Sequence, residues 1–248
     1  MKKVFGVICL SLLLTQLIFA KVEFGLQIHG GLSLSRYKNY SLKNAKLSSL
    51  GGQFINKTGG GGGVGFRMWF NKYIGLSVDV EVNQGGNIRK MTTKTGGTQE
   101  FTQDERINYI VIPLLARVGW GNDVVKIYGT AGGYYGFAFS GKYHTKTVQN
   151  NIVLSDQSGK LDFDNTYTRT DAGVRFGAGV EVYVSKDRKH GITADFTYDW
   201  GLSKVLQQDI QFKNHTYRFT NSRTLIQIGY LIRFGKSKKN DNANLPKM

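Results

Sequence analysis

Glu181 and Asp195 are the two acids best spaced for proton-transfer chemistry. They lie in neighbouring segments joined by the short connection KDRKHG, residues 186–191, which sets them roughly opposite each other. Two carboxylates so placed fit a general acid and base. They fit structural pairing with Arg175 or Arg233 at least as well. Ser140 and His144 are a second candidate, but a nucleophile needs an oriented base, and spacing alone does not supply one. His29, His144, His190 and His215 are dispersed, with no two at metal-ligand spacing. The stretch GGGGGVGFR, residues 59–67, lacks the Lys-Ser/Thr of a phosphate loop, and no helical pattern follows it. The residues therefore point to no enzyme, cofactor or metal site. What recurs instead is charge at alternate positions.

In GLSVDVEV, residues 75–82, Asp79 and Glu81 oppose Leu76, Val78, Val80 and Val82. In 171–184, Arg175 and Glu181 share a parity with Asp171, against Ala172, Val174, Phe176, Ala178, Val180, Val182 and Val184. Asp195 and Asp199 oppose Ile192, Ala194, Phe196, Tyr198, Trp200 and Leu202. Arg223, Gln227, Gly229 and Arg233 oppose Ile226, Ile228, Tyr230, Ile232 and Phe234. Glu23, Arg67 and Arg117 occupy equivalent positions. Strict period-2 alternation is the signature of a strand with two unlike faces. It does not say which face is inside.

The elements needed to carry this pattern are strands alone. Helical periodicity is absent after Ala20. Eight alternating segments follow, at about 22–35, 59–70, 74–90, 106–120, 124–142, 170–185, 191–204 and 222–234. The connections NKY (71–73), GND (121–123) and KDRKHG are short; 36–58, 91–105, 143–169 and 205–221 are long and polar. Alternating short and long connections with an even strand number describe a transmembrane barrel with short periplasmic turns and long extracellular loops. The expected fold is all-β, an eight-stranded antiparallel transmembrane barrel. The apolar parity then faces lipid, and the charges point into a lumen only wide enough to be filled by side chains. Buried charges must be paired. The expected lumen network is Glu23, Arg67, Asp79, Glu81, Arg117, Arg175, Glu181, Asp195, Asp199 and Arg233. Inward glycines (Gly65, Gly132, Gly136, Gly177, Gly179, Gly201) leave room for the arginines. Pro113, which cannot donate to a ladder, should mark a bulge or local break.

The N-terminal MKKVFGVICLSLLLTQLIFA has the basic start, apolar run and small final residue of a cleaved signal peptide. Its apolar run is short for a spanning helix, which needs roughly 20 residues. It contains the only cysteine, Cys9, so the mature chain has no disulfide. The reading is therefore residues 1–20 signal peptide, 21–235 barrel and 236–248 basic polar tail, in the bacterial outer membrane. The formal net charge of +16 is concentrated in connections and tail: Arg36, Lys38, Lys43, Lys46, Lys57, Lys186, Arg188, Lys189, Lys236, Lys238 and Lys239. Such a surface suits outer-membrane lipid and lipopolysaccharide phosphates or acidic polymers, and the compartment excludes nucleic acid.

The last strand, LIQIGYLIRF, places Gln227, Gly229, Ile232 and Phe234 in the spacing of the barrel assembly signal, which implies the assembly machinery as a partner. The segment YIVIPLLARVGW, residues 109–120, resembles a strand of the PorT-like outer-membrane barrels of Bacteroidota through Tyr109, Pro113, Leu114 and Leu115. GLQIHGGLSLS and GVRFGAGVEVYVS are more loosely similar to that family's first and sixth strands. The resemblance implies an outer-membrane barrel and, more distantly, an accessory role in protein secretion. The readings of function are a structural or surface-binding barrel, an accessory factor of envelope biogenesis or secretion, a lipid-modifying enzyme, and a narrow channel.

Overall fold

The computed structural model describes residues 22–41, 53–93, 98–212 and 215–234. The expected signal peptide, residues 42–52 of the 36–58 connection and the tail from 236 lie outside these residues. The strands are β1 (Glu23–Ser41), β2 (Gln53–Ile55), β3 (Lys57–Trp69), β4 (Ile74–Thr93), β5 (Gln99–Gly121), β6 (Val125–Gln149), β7 (Ile152–Lys160), β8 (Thr170–Tyr183), β9 (His190–Lys204), β10 (Ile210–Phe212) and β11 (His215–Phe234). Eight of them form an antiparallel ring in the order β1-β3-β4-β5-β6-β8-β9-β11. The ring closes because β1 pairs with β3 on one side and with β11 on the other, from Phe24↔Phe234 to Ser41↔Tyr217. Closure leaves no unpaired edge in the apolar belt.

One end is tight, and side chains specify it. Asn71 Oδ1 accepts from the backbone N–H groups of Tyr73 and Ile74, each at 2.8 Å. Asn122 Oδ1 does the same for Val124 and Val125, also at 2.8 Å. In the third turn Ser185 Oγ accepts from Lys189 and His190, both at 3.0 Å. Short Asn and Ser side chains that bond the backbone two to five residues ahead reverse a chain locally.

The other end departs from the sequence reading. The stretches 91–105 and 143–169 were expected as loops, but the ladder runs on through much of them. β4 and β5 stay paired to Thr93↔Gln99. β5 pairs β6 to Gln99↔Gln149, and β6 turns back into β7. Asn150 and Asn151, with φ of 48° and 66°, make that two-residue hairpin, a geometry Asn tolerates. These arms read as loops because alternation fades once both faces meet water, as on β7. Their Thr, Tyr, Phe and Val content still favours strands.

Burial runs inside out. Trp120, Val118 and Ile228 are 79, 67 and 66% exposed, whereas Arg117, Arg175 and Arg223 are at most 1% exposed. On β5 the outward residues from Ile110 to Trp120 are uniformly apolar. That stretch is about 34 Å of strand, which a tilt of about 45° projects to roughly 25 Å, the height of an apolar belt. Pro113 faces inward. The pairings expected at Asp79–Pro113 and Val80–Ile112 are missing from an otherwise continuous β4–β5 register, while Pro113 stays paired to Tyr134 on β6. The proline thus interrupts one ladder only. The bulge in the β5–β6 ladder lies elsewhere and on β6, where Phe139 is the extra residue between the Asn108–Ser140 and Tyr109–Ala138 pairs.

Candidate functional site

The lumen holds nearly all the buried charge, and its groups form one chain of contacts from the tight end upward. Arg233 pairs with Glu23 at 3.1 Å, and its guanidinium stacks 4.1 Å above the Tyr183 ring. Tyr183 donates to Glu181, which pairs with Arg117 at 2.9 Å. Arg117 lies 3.8 Å over the Tyr128 ring, and Tyr128 donates to Asp195. Gln27 donates to Asp195 and Thr193, and accepts from Arg67 at 2.7 Å. Arg67 pairs with Asp79 at 2.7 Å. Arg175 then reaches Glu81 at 2.8 Å and Asp199 at 2.6 Å. Arg223 completes the chain, 3.1 Å from Asp199 and 3.2 Å from Asp171.

Every residue of the expected network thus lies along this chain. Glu181 and Asp195 do not oppose each other, however. The β8–β9 register sets Glu181 against Thr193 and Gly179 against Asp195. Glu181 serves Arg117, while Asp195 serves Tyr128 and Gln27, so each acid is engaged by its own partners. Arg223 and Asp171 were on the right parity but were not singled out; both sit among the best-buried groups. Two glycines show why small residues line this space. A Cβ on Gly65 would stand 1.8 Å from Asp79 Oδ1 and 2.9 Å from Arg67 Nη1. One on Gly229 would stand 2.6 Å from Gln27 Nε2 and 2.7 Å from Thr193 Oγ1.

His29 is another lumen group outside the expected network. It is 3.4 Å from Glu81 and 3.9 Å from Asp79, and one ligand atom from each of the three falls within 4.8 Å of the others. The donors suit a divalent cation, but Asp79 already neutralises Arg67, and Glu81 already neutralises Arg175. A cation there would add positive charge to a site whose carboxylates are already balanced by Arg67 and Arg175. The only sequence signal was parity: His29 shares a face with Gln27 and Ser33.

Above the charges the lumen turns apolar. Tyr37, Ile107, Tyr109, Val111, Tyr134, Leu161, Phe163, Tyr167, Val205 and Phe219 form a buried cluster. Leu161, Phe163 and Tyr167 come from the β7–β8 connection, whose backbone bonds into the wall at Gly141, Ala138 and Val205 while these side chains turn inward and cap the cluster. Gln207 Nε2 ties it down through the carbonyls of Phe163, Asp164 and Tyr167, and Tyr167 donates to Glu105. Ser140 and His144 are not part of this cluster and are engaged separately: Ser140 accepts from Asn108, and His144 pairs with Asp156.

Residues 19–207 match the family described as "Outer membrane protein beta-barrel domain". The chain belongs to that family. It is a small outer-membrane β-barrel protein, located in the outer membrane. Among solved structures it is similar to Ail, the attachment invasion locus protein of Yersinia pestis, at 19% identity over 85% of this chain and 98% of that one, TM-score 0.37. It is also similar to OprG of Pseudomonas aeruginosa, at 12% identity over 87% and 97%, TM-score 0.43. No curated protein matched the sequence. The match is to the broad barrel family and does not resolve the PorT-like branch.

Proposed function

We propose that this barrel acts through its outer surface and extended arms, as a structural or surface-binding protein whose lumen is closed. The observation that carries this is the stacked lumen. A chain of ion pairs, hydrogen bonds and cation–π contacts fills the lower barrel, and an apolar cluster capped by Leu161, Phe163 and Tyr167 stands across the upper barrel. A fully occupied interior leaves the long end and the lipid-facing wall to meet ligands. The excess of Lys and Arg favours anionic ones, lipopolysaccharide among them. The long end is extracellular and the tight end periplasmic, as short turns and long arms are disposed in such barrels. Gln227, Gly229, Ile232 and Phe234 on β11 serve as the signal to the assembly machinery, Gln227 facing the lumen and Ile232 and Phe234 facing lipid.

The test is two measurements on the refolded barrel: ion conductance across a planar bilayer, and binding to vesicles of anionic against zwitterionic lipid. Silence in the first with preference for anionic vesicles in the second is expected. Steady conductance would replace this reading with a channel.

A secretion-accessory role is the second reading. It rests on Tyr109, Pro113, Leu114 and Leu115, of which only Leu114 faces outward. Loss of surface protein export on deletion of the protein would support it.

A further inference from the structure

Arg106 on β5, Lys142 on β6 and Lys160 on β7 lie side by side. The register pairs Arg106 with Lys142, and Lys142 with Lys160. Neighbouring strands are about 4.8 Å apart, so the three Cα atoms fall within roughly 10 Å. All three side chains are exposed, and among the described residues none of them has an ion pair or side-chain hydrogen bond. Like charges directly opposite on a sheet repel one another, so this row is unfavourable unless something anionic offsets it.

The acids nearby are already engaged. Asp104 is held by Lys57 Nζ at 2.5 Å, and Asp156 by His144 Nε2 at 2.6 Å. Arg106, Lys142 and Lys160 line a cavity of about 430 Å³ together with Lys57, Asp104 and His144. Lys57 and His144 each mask an acid, and the three free cations remain.

Depth along the strands decides what fits. Ile110 on β5, 41% exposed, and Phe137 and Phe139 on β6, 44 and 48% exposed, end the lipid-facing wall on these strands. Asn108 and Ser140, bonded to each other, form the next step. The cation row follows, three to four residues past the last apolar side chain. That is roughly 10–13 Å of tilted strand, at headgroup level in the leaflet on the long side. A group bound there has its phosphate among the cations and its acyl chains against Ile110, Phe137 and Phe139.

We propose that Arg106, Lys142 and Lys160 form a binding site on the barrel wall for the phosphate of an outer-leaflet glycolipid headgroup. The guanidinium supplies a forked donor pair and the two ammoniums point charges, a combination suited to a phosphate monoester. The site deepens the surface-binding reading and rests on it.

The experiment uses the full barrel in neutral detergent and three probes: bisphosphorylated lipid A, the same lipid with its phosphates removed, and inorganic phosphate as competitor. The expected result is binding of the phosphorylated lipid, weakened at least tenfold by removing its phosphates. The triple variant Arg106→Gln, Lys142→Gln, Lys160→Gln should lose at least tenfold, while Lys186→Gln with Lys189→Gln, at the tight end, binds like wild type. A mobility shift on boiling confirms that each variant folds. Wild-type affinity in the triple variant would overturn the site while leaving the surface-binding reading in place. Failure of the wild type to bind the phosphorylated lipid would overturn both. Competition by millimolar inorganic phosphate would reassign the site to free phosphate and overturn the lipid assignment.

Discussion

The guanidinium of Arg175 on β8 lies 2.8 Å from the carboxylate of Glu81 on β4, two strands that are not neighbours in the ring. The pair therefore spans the lumen and ties opposite walls, with Asp199 holding the other side of the same guanidinium. Removing Arg175 takes the guanidinium from buried Glu81 and one of two from Asp199, which keeps Arg223. Arg175→Ala should cost about 3–5 kcal/mol, the usual penalty for breaking a buried pair from one side. Lys72→Ala, in an exposed turn, should stay within about 0.5 kcal/mol of wild type. Urea titrations of the barrel in lipid vesicles, read by gel mobility without boiling, measure both. Coincident midpoints would remove the claim that lumen pairs bear on stability.

Leu114 tests the sidedness of the wall. It is 54% exposed near the middle of the apolar stretch of β5, facing lipid. Leu114→Arg should destabilise the barrel by about 2–4 kcal/mol, the cost of a cation at the bilayer midplane. Arg117, three residues on and of opposite parity, is already an arginine and is buried against Glu181. If the barrel tolerates Leu114→Arg as easily as Lys72→Ala, the outward face is not in lipid.

The difference between Leu114 and Arg117 was legible in the sequence because period-2 alternation assigns every residue of a strand once one face is known. Strand number, the tight turns and the inward set followed from that rule. Pairing did not. Whether Glu181 meets Asp195 or Arg117 depends on stagger around the closed ring, a long-range quantity that no local pattern encodes. His29 was missed for the same reason: its partners on β4 lie two strands away, across β3, and spacing along the chain says nothing of them. The capping segment was hidden differently. Leu161 and Phe163 alternate with Lys160, Asp162 and Asp164 only over five residues in a polar stretch, and the residues that bury them, such as Tyr37 and Phe219, lie far away in sequence.

The disposition of the ends has its own test. Cysteines placed at Asn151, in the β6–β7 hairpin, and at Asp187, in the tight turn, each carry one thiol once Cys9 is replaced by serine. A membrane-impermeant maleimide on intact cells should label position 151 and spare 187. Lysed cells should label both. The reverse pattern would invert the topology and place the Arg106–Lys142–Lys160 row in the inner leaflet.

The cap on the apolar cluster should loosen in acid. Asp162 begins the capping turn. Its carboxylate accepts from the Asn165 side-chain amide at 3.1 Å and from the backbone N–H groups of Asp164 and Asn165 at 2.9 and 3.1 Å. The Asn165 amide, then the two backbone donors, hold its pKa below the usual carboxylate value. A depressed folded-state pKa contributes stability that is present above the unfolded value and is lost as pH falls through the folded one. Protonating Asp162 removes the charge those three donors face, and the turn carrying Phe163 and Tyr167 should open more often. Amide exchange at Asp164 and Asn165, followed from pH 7 down through the carboxylate range and corrected for the intrinsic pH dependence of exchange, should show protection falling. Asp162→Asn, which keeps one acceptor oxygen but no charge, should start with lower protection and show little further change. Protection in the wild type that stays flat with pH, or that falls equally in Asp162→Asn, would separate the cap's stability from this carboxylate.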